Sequence, residues 1–520
     1  MNFSERDLEQ IKEKGLSLDE VNDQLRVFKN GLKPSKLYAA AKIGQGIKKL
    51  TDSEVQYALS FYSSCRDDLE ILKFVPASGG ATRMFKFLFE FLEEFDPQQE
   101  SLDLFLKRTR NQDIEKFDKN KDKLAFIDGL NAQLFKSFPD YNNRSQGDAL
   151  KCFVRCMLDG DKLDLAEIPK GLIKFHRYPD SIRTAFEEHL YEAGYYASSN
   201  NKALLHYTIS NKHLELFQSH KKEILPVISK ELGIEFEVTF SVQEPSTDTV
   251  AVSPDDIPFR NTDGSLLFRP SGHGALLHNL NKMDADLIFI KNIDNVVSSN
   301  HIEAIARNKC MLAGTLLQLQ KRSHQYLQRL YDEEGITDID IEQIQNFTRD
   351  SLNISASNFS EKTTKKEKID WLKQVMNRPI RVCGMVKNEG QPGGGPFWVQ
   401  DEEGNISLQI VESSQVDNSD PAQDKIFSSA THFNPVDLVC GIRDYRGRAF
   451  DLTQFVDHKA AFISEKTHLG KPLKALELPG LWNGSMANWI TIFVEVPIIT
   501  FNPVKTVNDL FGQMHQAMSR

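Results

Sequence analysis

The sequence predicts an α/β fold with a mostly parallel sheet covered by helices on both faces, and three observations predict it. Short apolar runs of strand length, as in "DLEILKFVPASGG", "ALLHYTISNKHLELFQSH" and "ADLIFIKNIDNVV", alternate with longer stretches at helical spacing. The first of these runs breaks into small residues and then resumes as "TRMFKFLFEFLEEF", a strand, loop and helix in succession. The composition, 40% hydrophobic and 26% charged with 34 Phe in 520 residues, suits a packed protein with several domains.

In chain order, residues 1–70 read as a helical N-terminal region, on the periodicity of "LDEVNDQLRVFKNGL" and "SEVQYALSFYSSC". Residues 71–300 read as an α/β core interrupted by a helical insertion at about 90–165. Within that core "EFEVTFSVQ" alternates as a strand. Residues 301–375 are hydrophilic and helical, a second insertion. Residues 376–520 are β-rich, with "IRVCGMV", "PFWVQD", "NISLQIVE" and "ANWITIFVEVPIITF" as strands and "KTVNDLFGQMHQAM" as a closing helix. The glycine cluster "PGGGP" reads as a loop between strands, and no internal repeat is present.

A net charge of −10, with basic and acidic residues mixed along the chain, excludes general attraction to a nucleic acid polymer. A local basic pocket for a small phosphorylated molecule stays open, because a few convergent groups define such a site. The N-terminus lacks the apolar run of a signal peptide and no segment reaches membrane-span length, so the expectation is a cytoplasmic protein without a membrane partner. The six cysteines, 65, 152, 156, 310, 383 and 440, are scattered; Cys152 and Cys156 read as core thiols rather than zinc ligands.

Three stretches invite chemistry. In "FVPASGGATRMFKF", Gly79, Gly80, Thr82 and Arg83 follow a strand and precede a helix. Glycines admit an anion to the backbone N–H groups, the helix start favours it, and arginine neutralises it; a tight turn with a surface arginine is the competing reading. The loop has neither the Gly-Lys-Ser/Thr ending of a P-loop nor the dinucleotide fingerprint. Asp294 stands just past an apolar strand, where ligands of open α/β sheets bind, and a carboxylate there suits Mg²⁺ held jointly with substrate phosphates. "EEHL", with Glu187, Glu188 and His189, reads as a solvated face or local salt bridges on an amphipathic helix rather than as acid/base groups.

The order "PASGGATRM" resembles the signature loop of sugar-1-phosphate nucleotidyltransferases, in which a Pro-Lys pair normally follows soon after. Here the candidate pair, Pro169 and Lys170 in "PKGLIKFH", comes far downstream, which requires the intervening helices to be an insertion. Gln243 in "SVQEPSTDTVAV", the "PSGHG" loop with Gly272, His273 and Gly274, and a strand ending in Asp294-Asn295 extend the likeness to the UDP-sugar pyrophosphorylase branch. "WNGSMANWITIFVEVP" supplies Asn483 and Asn488, and "FNPVKTVNDLF" supplies Lys505, in the places where that branch keeps amides near the sugar and a phosphate-binding lysine.

The pattern as a whole fits the family known as domain of unknown function 4301. It runs in pieces over about 70–85, 165–300 and 475–511. The resemblance implies a Rossmann-like core of the nucleotide-diphospho-sugar transferase (GT-A-like) type. It implies a pyrophosphorylase that joins a nucleoside triphosphate, UTP by the nearest likeness, to a sugar 1-phosphate with release of pyrophosphate. Arg83, Lys170 and Lys505 would be catalytic; Gly79, Gly80, Thr82, Gln243, Gly272, His273 and Gly274 would bind the nucleotide. Asn483 and Asn488 would bind the sugar, and Asp294 would hold Mg²⁺. A nucleotide-sugar-dependent glycosyltransferase and a non-catalytic nucleotide-sugar-binding protein stay open as alternatives.

Overall fold

Polar caps start the N-terminal helices. Ser4, Ser17 and Thr51 each accept a hydrogen bond from the third residue of the following helix, and Asp7, Glu20 and Glu54 return it, giving helices Glu5–Glu13, Leu18–Asn30 and Asp52–Cys65. The computed structural model describes residues 3–332, 335–355, 359, 363–391 and 393–517 and is a mixed α/β structure with a large mixed sheet. Two compact units divide the chain. The first comprises residues up to Phe74, Ser241–Ile290 and Asn308–Thr500; the second comprises Val75–Phe240, Lys291–Arg307 and the chain from Phe501.

In the first unit the sheet runs Lys42–Ile43, Gly46–Lys48, Ile490–Glu495, Ile380–Lys387, Asp437–Gly441, Leu287–Lys291, Ile71–Pro76, the last two strands continuing into the second unit. Ile380–Lys387 pairs parallel with Ile490–Glu495 and antiparallel with Asp437–Gly441, while Leu287–Lys291 and Ile71–Pro76 are parallel. Both of these last strands are buried at every position, as continuous apolar runs require when both faces are covered. Residues 1–70 supply strands as well as helices: Leu37–Ala40 pairs with Gly395–Gln400, and Gly46–Lys48 joins the main sheet. The N-terminal helices bury Ile11, Val21, Leu25 and Phe28 against Val250, Val252, Leu266 and Leu476. Pro392 of the glycine cluster lies outside the described residues, and Gly395 already begins a strand.

The second unit has Lys202–Ile209 as a central strand, paired with Ser198–Ser199 and Glu235–Val242. The stretch between Lys86 and Leu158 is a group of helices, joined by edge-to-face phenylalanines: Phe91 and Phe95 on Phe105, Phe117 on Phe87 and Phe153. Cys152 and Cys156 are buried on one of these helices, and burial pushes the Cys156 thiol up to about 11. The closing helix read in "KTVNDLFGQMHQAM" is corrected to two short 3-10 turns, Val507–Phe511 and Gln513–His515. A Thr506–Asp509 capping box opens the first turn, and Gly512 in extended backbone ends it before an α-helix develops. Among the described residues no helix is long and apolar enough to cross a membrane.

Candidate functional site

In the second unit the chain leaves the strand Ile71–Pro76 and is pinned at once, with the Ala77 N–H donating to the Thr208 carbonyl at 2.8 Å. Ser78, Gly79 and Gly80 are exposed. A Cβ at Gly79 would meet nothing within 4 Å, and one at Gly80 only the Thr82 hydroxyl at 3.9 Å. Neither glycine has positive φ, so packing and backbone strain do not demand them. What these small residues do is leave the space above the turn open. Arg83, on the 3-10 turn Thr82–Phe85 that leads into helix Lys86–Glu94, is exposed and forms no ion pair among the described residues.

Pro169 and Lys170 return to this same turn. Gly80 forms an antiparallel bridge with Pro169, the Lys170 N–H donates to the Gly79 carbonyl at 3.3 Å, and the Thr82 hydroxyl donates to the Ala166 carbonyl at 3.3 Å. The long separation in sequence is therefore spanned by the helices Lys86–Leu158, and the pair sits beside the loop. Lys170 Nζ lies 2.7 Å from the Asp294 carboxylate, both side chains only partly exposed at 14% and 20%. Asp294 reaches this place because the Ile293 N–H donates to the Pro76 carbonyl, at the root of the loop.

The segment carrying Lys505 is drawn to the same aspartate. The Val504 N–H donates to the Asp294 carbonyl at 3.1 Å, Asn295 bridges Pro503, and the Asn295 side-chain oxygen accepts from the Asn502 N–H at 2.7 Å. Lys505 itself is exposed, its ammonium 5.9 Å from the Phe501 ring centroid. The second unit thus brings together the loop of Arg83, the Lys170–Asp294 pair and the segment of Lys505.

The helix Ala185–Tyr196 corrects one reading. Glu188 and His189 are wholly buried and Glu187 nearly so, which overturns the solvated face assigned to "EEHL". The helix lies inside the unit, where its polar groups are paired. The His189 ring bonds the Ile293 carbonyl at 3.2 Å, and Glu192 forms a buried ion pair at 2.6 Å with Lys291, at the end of the strand that leads to Asp294. Sequence reading missed these supports; the period that marks an amphipathic helix does not say which face is wet when both faces carry polar residues.

The remaining candidates belong to the first unit. Gln243 follows the strand Glu235–Val242 and donates to Thr247 at 3.3 Å. The buried Asn279 amide fixes that strand's end, donating to the Ser241 hydroxyl and the Val242 carbonyl at 2.7 and 3.0 Å. Gly272 has φ +76°, and a Cβ there would lie 2.5 Å from a Glu477 carboxylate oxygen; one at Gly274 would strike the Pro479 carbonyl and stand 2.9 Å from the Leu478 Cβ. These two glycines are needed for the turn's close contact with residues 477–479. His273 is exposed, its ring 4.8 Å from Trp482. Asn483 is buried, and its amide donates to Glu412 and Gln415 at 3.4 and 3.3 Å. Burial pushes the Glu412 carboxyl up. Asn488 is exposed and lines a hollow with Tyr331, Lys373, Arg378 and Gln454, away from the packing that holds Asn483.

Solved structures to which the chain is similar include the UDP-glucose pyrophosphorylase from Leishmania major, 12% identical, with 98% of this chain and 79% of that chain covered at a TM-score of 0.43. A UDP-glucose phosphorylase from Trypanosoma brucei is 11% identical over 97% of this chain and 77% of that chain, at 0.43. The uridine diphosphate N-acetylglucosamine pyrophosphorylase from Trypanosoma brucei is 12% identical over 97% and 76%, at 0.43. A search of curated proteins returns no match. Across residues 4–516 the chain matches the family described as domain of unknown function (DUF4301), and it belongs to that family.

Proposed function

We propose that the chain is a nucleotidyltransferase in which an oxygen of a sugar 1-phosphate attacks the α-phosphorus of a nucleoside triphosphate, UTP on the sequence likeness, and pyrophosphate leaves. The observation that carries this reading is the Lys170–Asp294 pair, seated against an open Gly79–Gly80 turn beside an exposed Arg83 that forms no ion pair among the described residues. Both substrates are polyanions, so the barrier is repulsion and alignment, and a site for them needs open backbone donors and convergent cations rather than a nucleophile. In this reading the N–H groups of the turn and Arg83 hold the triphosphate, while Lys170 and Lys505 draw the sugar phosphate into line.

Mg²⁺ is part of the proposal. Asp294 has one carboxylate oxygen on Lys170 and the other available, and among the described residues no group of three His, Cys, Asp or Glu could form a closed metal cage. That donor set fits an ion held by one carboxylate with phosphate oxygens and water, the manner Mg²⁺ favours. When bound, the ion supplies positive charge to the phosphates. Gln243 and the turn Gly272–Gly274 are assigned to the nucleotide's base and ribose, and Asn488 to the sugar. Asn483 is assigned to shaping its own loop through Glu412 and Gln415.

The test is pyrophosphate release by the purified protein with Mg²⁺, each common nucleoside triphosphate in turn and a set of sugar 1-phosphates. Release that requires one nucleotide, one sugar phosphate and Arg83 supports the reading. Sugar transfer from a nucleotide sugar, or nucleotide binding with no release, replaces it with the glycosyltransferase or the binding protein.

A further inference from the structure

Directly beyond Lys505 the chain turns back on itself inside the second unit. The Lys505 and Thr506 N–H groups donate to the Asp509 carboxylate at 2.8 and 2.7 Å, the Ser298 N–H donates to the Met514 carbonyl at 2.9 Å, and His515 enters the interior, 4% exposed. There its Nδ1 meets His176 Nε2 at 2.9 Å, and His176 Nδ1 meets the Glu188 carboxylate at 2.9 Å. The Tyr178 hydroxyl donates to the same Glu188 oxygen at 2.7 Å. The His515 ring also bonds the Asn502 backbone, closing the loop that carries Lys505.

His176 Nδ1 faces a carboxylate and donates to it, and one proton lies between His176 Nε2 and His515 Nδ1. Charging His515 would place a cation beside His176, where burial disfavours charge.

We propose that His515 is a positioning residue, which seats the Lys505-bearing segment through its hydrogen bond to the buried His176–Glu188 pair. The charged and titratable groups facing this pair are Tyr178 and Arg183, from the chain beside His176, and Glu188 from helix Ala185–Tyr196. Arg183 stands 3.9 Å from Glu188 and 3.6 Å from Glu231, which also accepts from Tyr191, and Glu187 pairs with His220. Among the described residues of the segment itself, His515 and Asp509 contribute, and Asp509 is engaged by Lys505 and Thr506. Burial first, and then His176, pushes His515 down to about 3. Its folded value thus lies below its unfolded one, and the seat is firm above about pH 6.5 and loosens as pH falls.

Amide hydrogen exchange over residues 501–511, corrected for the intrinsic pH dependence, reads the seat directly. His515→Ala should lower protection there about tenfold or more at pH 7. His515→Asn, whose side-chain amide can hydrogen-bond His176 Nε2 without titrating, should keep it near wild type. Between pH 7 and 5 wild-type protection should fall about tenfold while His515→Asn stays level. Unchanged protection in His515→Ala, or equal pH responses in wild type and His515→Asn, overturns the proposal. The second comparison decides if the alanine variant does not fold. An effect on the KM for sugar phosphate, raised in His515→Ala and restored in His515→Asn, rests on the nucleotidyltransferase reading. Altered exchange in a protein that releases no pyrophosphate keeps the seat and removes that reading; release with unaltered exchange does the reverse.

Discussion

Lys170 and Asp294 are 124 positions apart in the chain and 2.7 Å apart in space, so their pairing tests the site at the level of single side chains. Each is mostly shielded from water, and removing one leaves the other with a desolvated charge. Lys170→Met and Asp294→Asn should each destabilise by about 1–3 kcal/mol, and the double variant by less than the sum. Urea unfolding of the four proteins in a double-mutant cycle checks this; additive losses would show that the pair is not coupled. Arg83 makes the opposite case, exposed and without an ion pair among the described residues. Arg83→Ala should leave the unfolding midpoint within about 0.5 kcal/mol of wild type. In the proposed reaction it should lower pyrophosphate release at least about a hundredfold, the cost of one preorganised donor. A melting curve and a release assay on the same preparation separate the two effects.

Among elements, the glycine turns divide by what stands over them. The turn at Gly79 faces open space, whereas Gly274 faces the Pro479 carbonyl and the Leu478 side chain. Gly274→Ala should therefore cost about 1–3 kcal/mol of stability through overpacking, and Gly79→Ala close to none while slowing pyrophosphate release. Thermal unfolding of both variants distinguishes a glycine that packing requires from one that it does not; equal losses would remove that distinction. The sequence makes the apolar strands Ile71–Pro76 and Leu287–Lys291 legible, because burial on both faces leaves an unbroken apolar run. It also makes the Gly79–Arg83 loop and the Asp294-Asn295 strand end legible as motifs. What periodicity does not show is the environment of a polar residue. Helix Ala185–Tyr196 carries Glu188, His189 and Glu192 and is buried, since partners on distant strands, His176 and Lys291, satisfy those groups. The two 3-10 turns of the C-terminal segment escape for a related reason: hydrogen bonds with Asn295, Ser298 and His176 hold that stretch, and none of these is local.

Over the whole molecule, burial of neutral titratable groups sets a pH window for stability. His206 is pushed down to about 4 by burial, His515 to about 3 by burial and His176, and His213, His324 and His432 are lowered chiefly by burial. These groups lie in both units, so acid acts on each. With folded values below unfolded ones, the unfolded chain takes up protons that the native protein refuses, and stability falls as pH drops below about 6.5. At the alkaline end the sign reverses. Burial raises Cys156, Cys310 and Cys383 to about 11 and lifts Cys440 further, so the unfolded thiols ionise first and stability falls above about pH 9. The urea midpoint, measured with a reductant present, should therefore peak between about pH 7 and 8 and decline on both sides. At pH 5 a single fully burdened histidine such as His206 contributes about 2 kcal/mol of the loss. His206 bonds the Thr239 hydroxyl through Nδ1 at 2.8 Å, and His206→Asn keeps a polar atom near that position without the titration. That variant should lose less stability than wild type between pH 7 and 5. An equal loss in the two proteins would assign the acid slope to the other lowered histidines, His515 and then His213, His324 and His432.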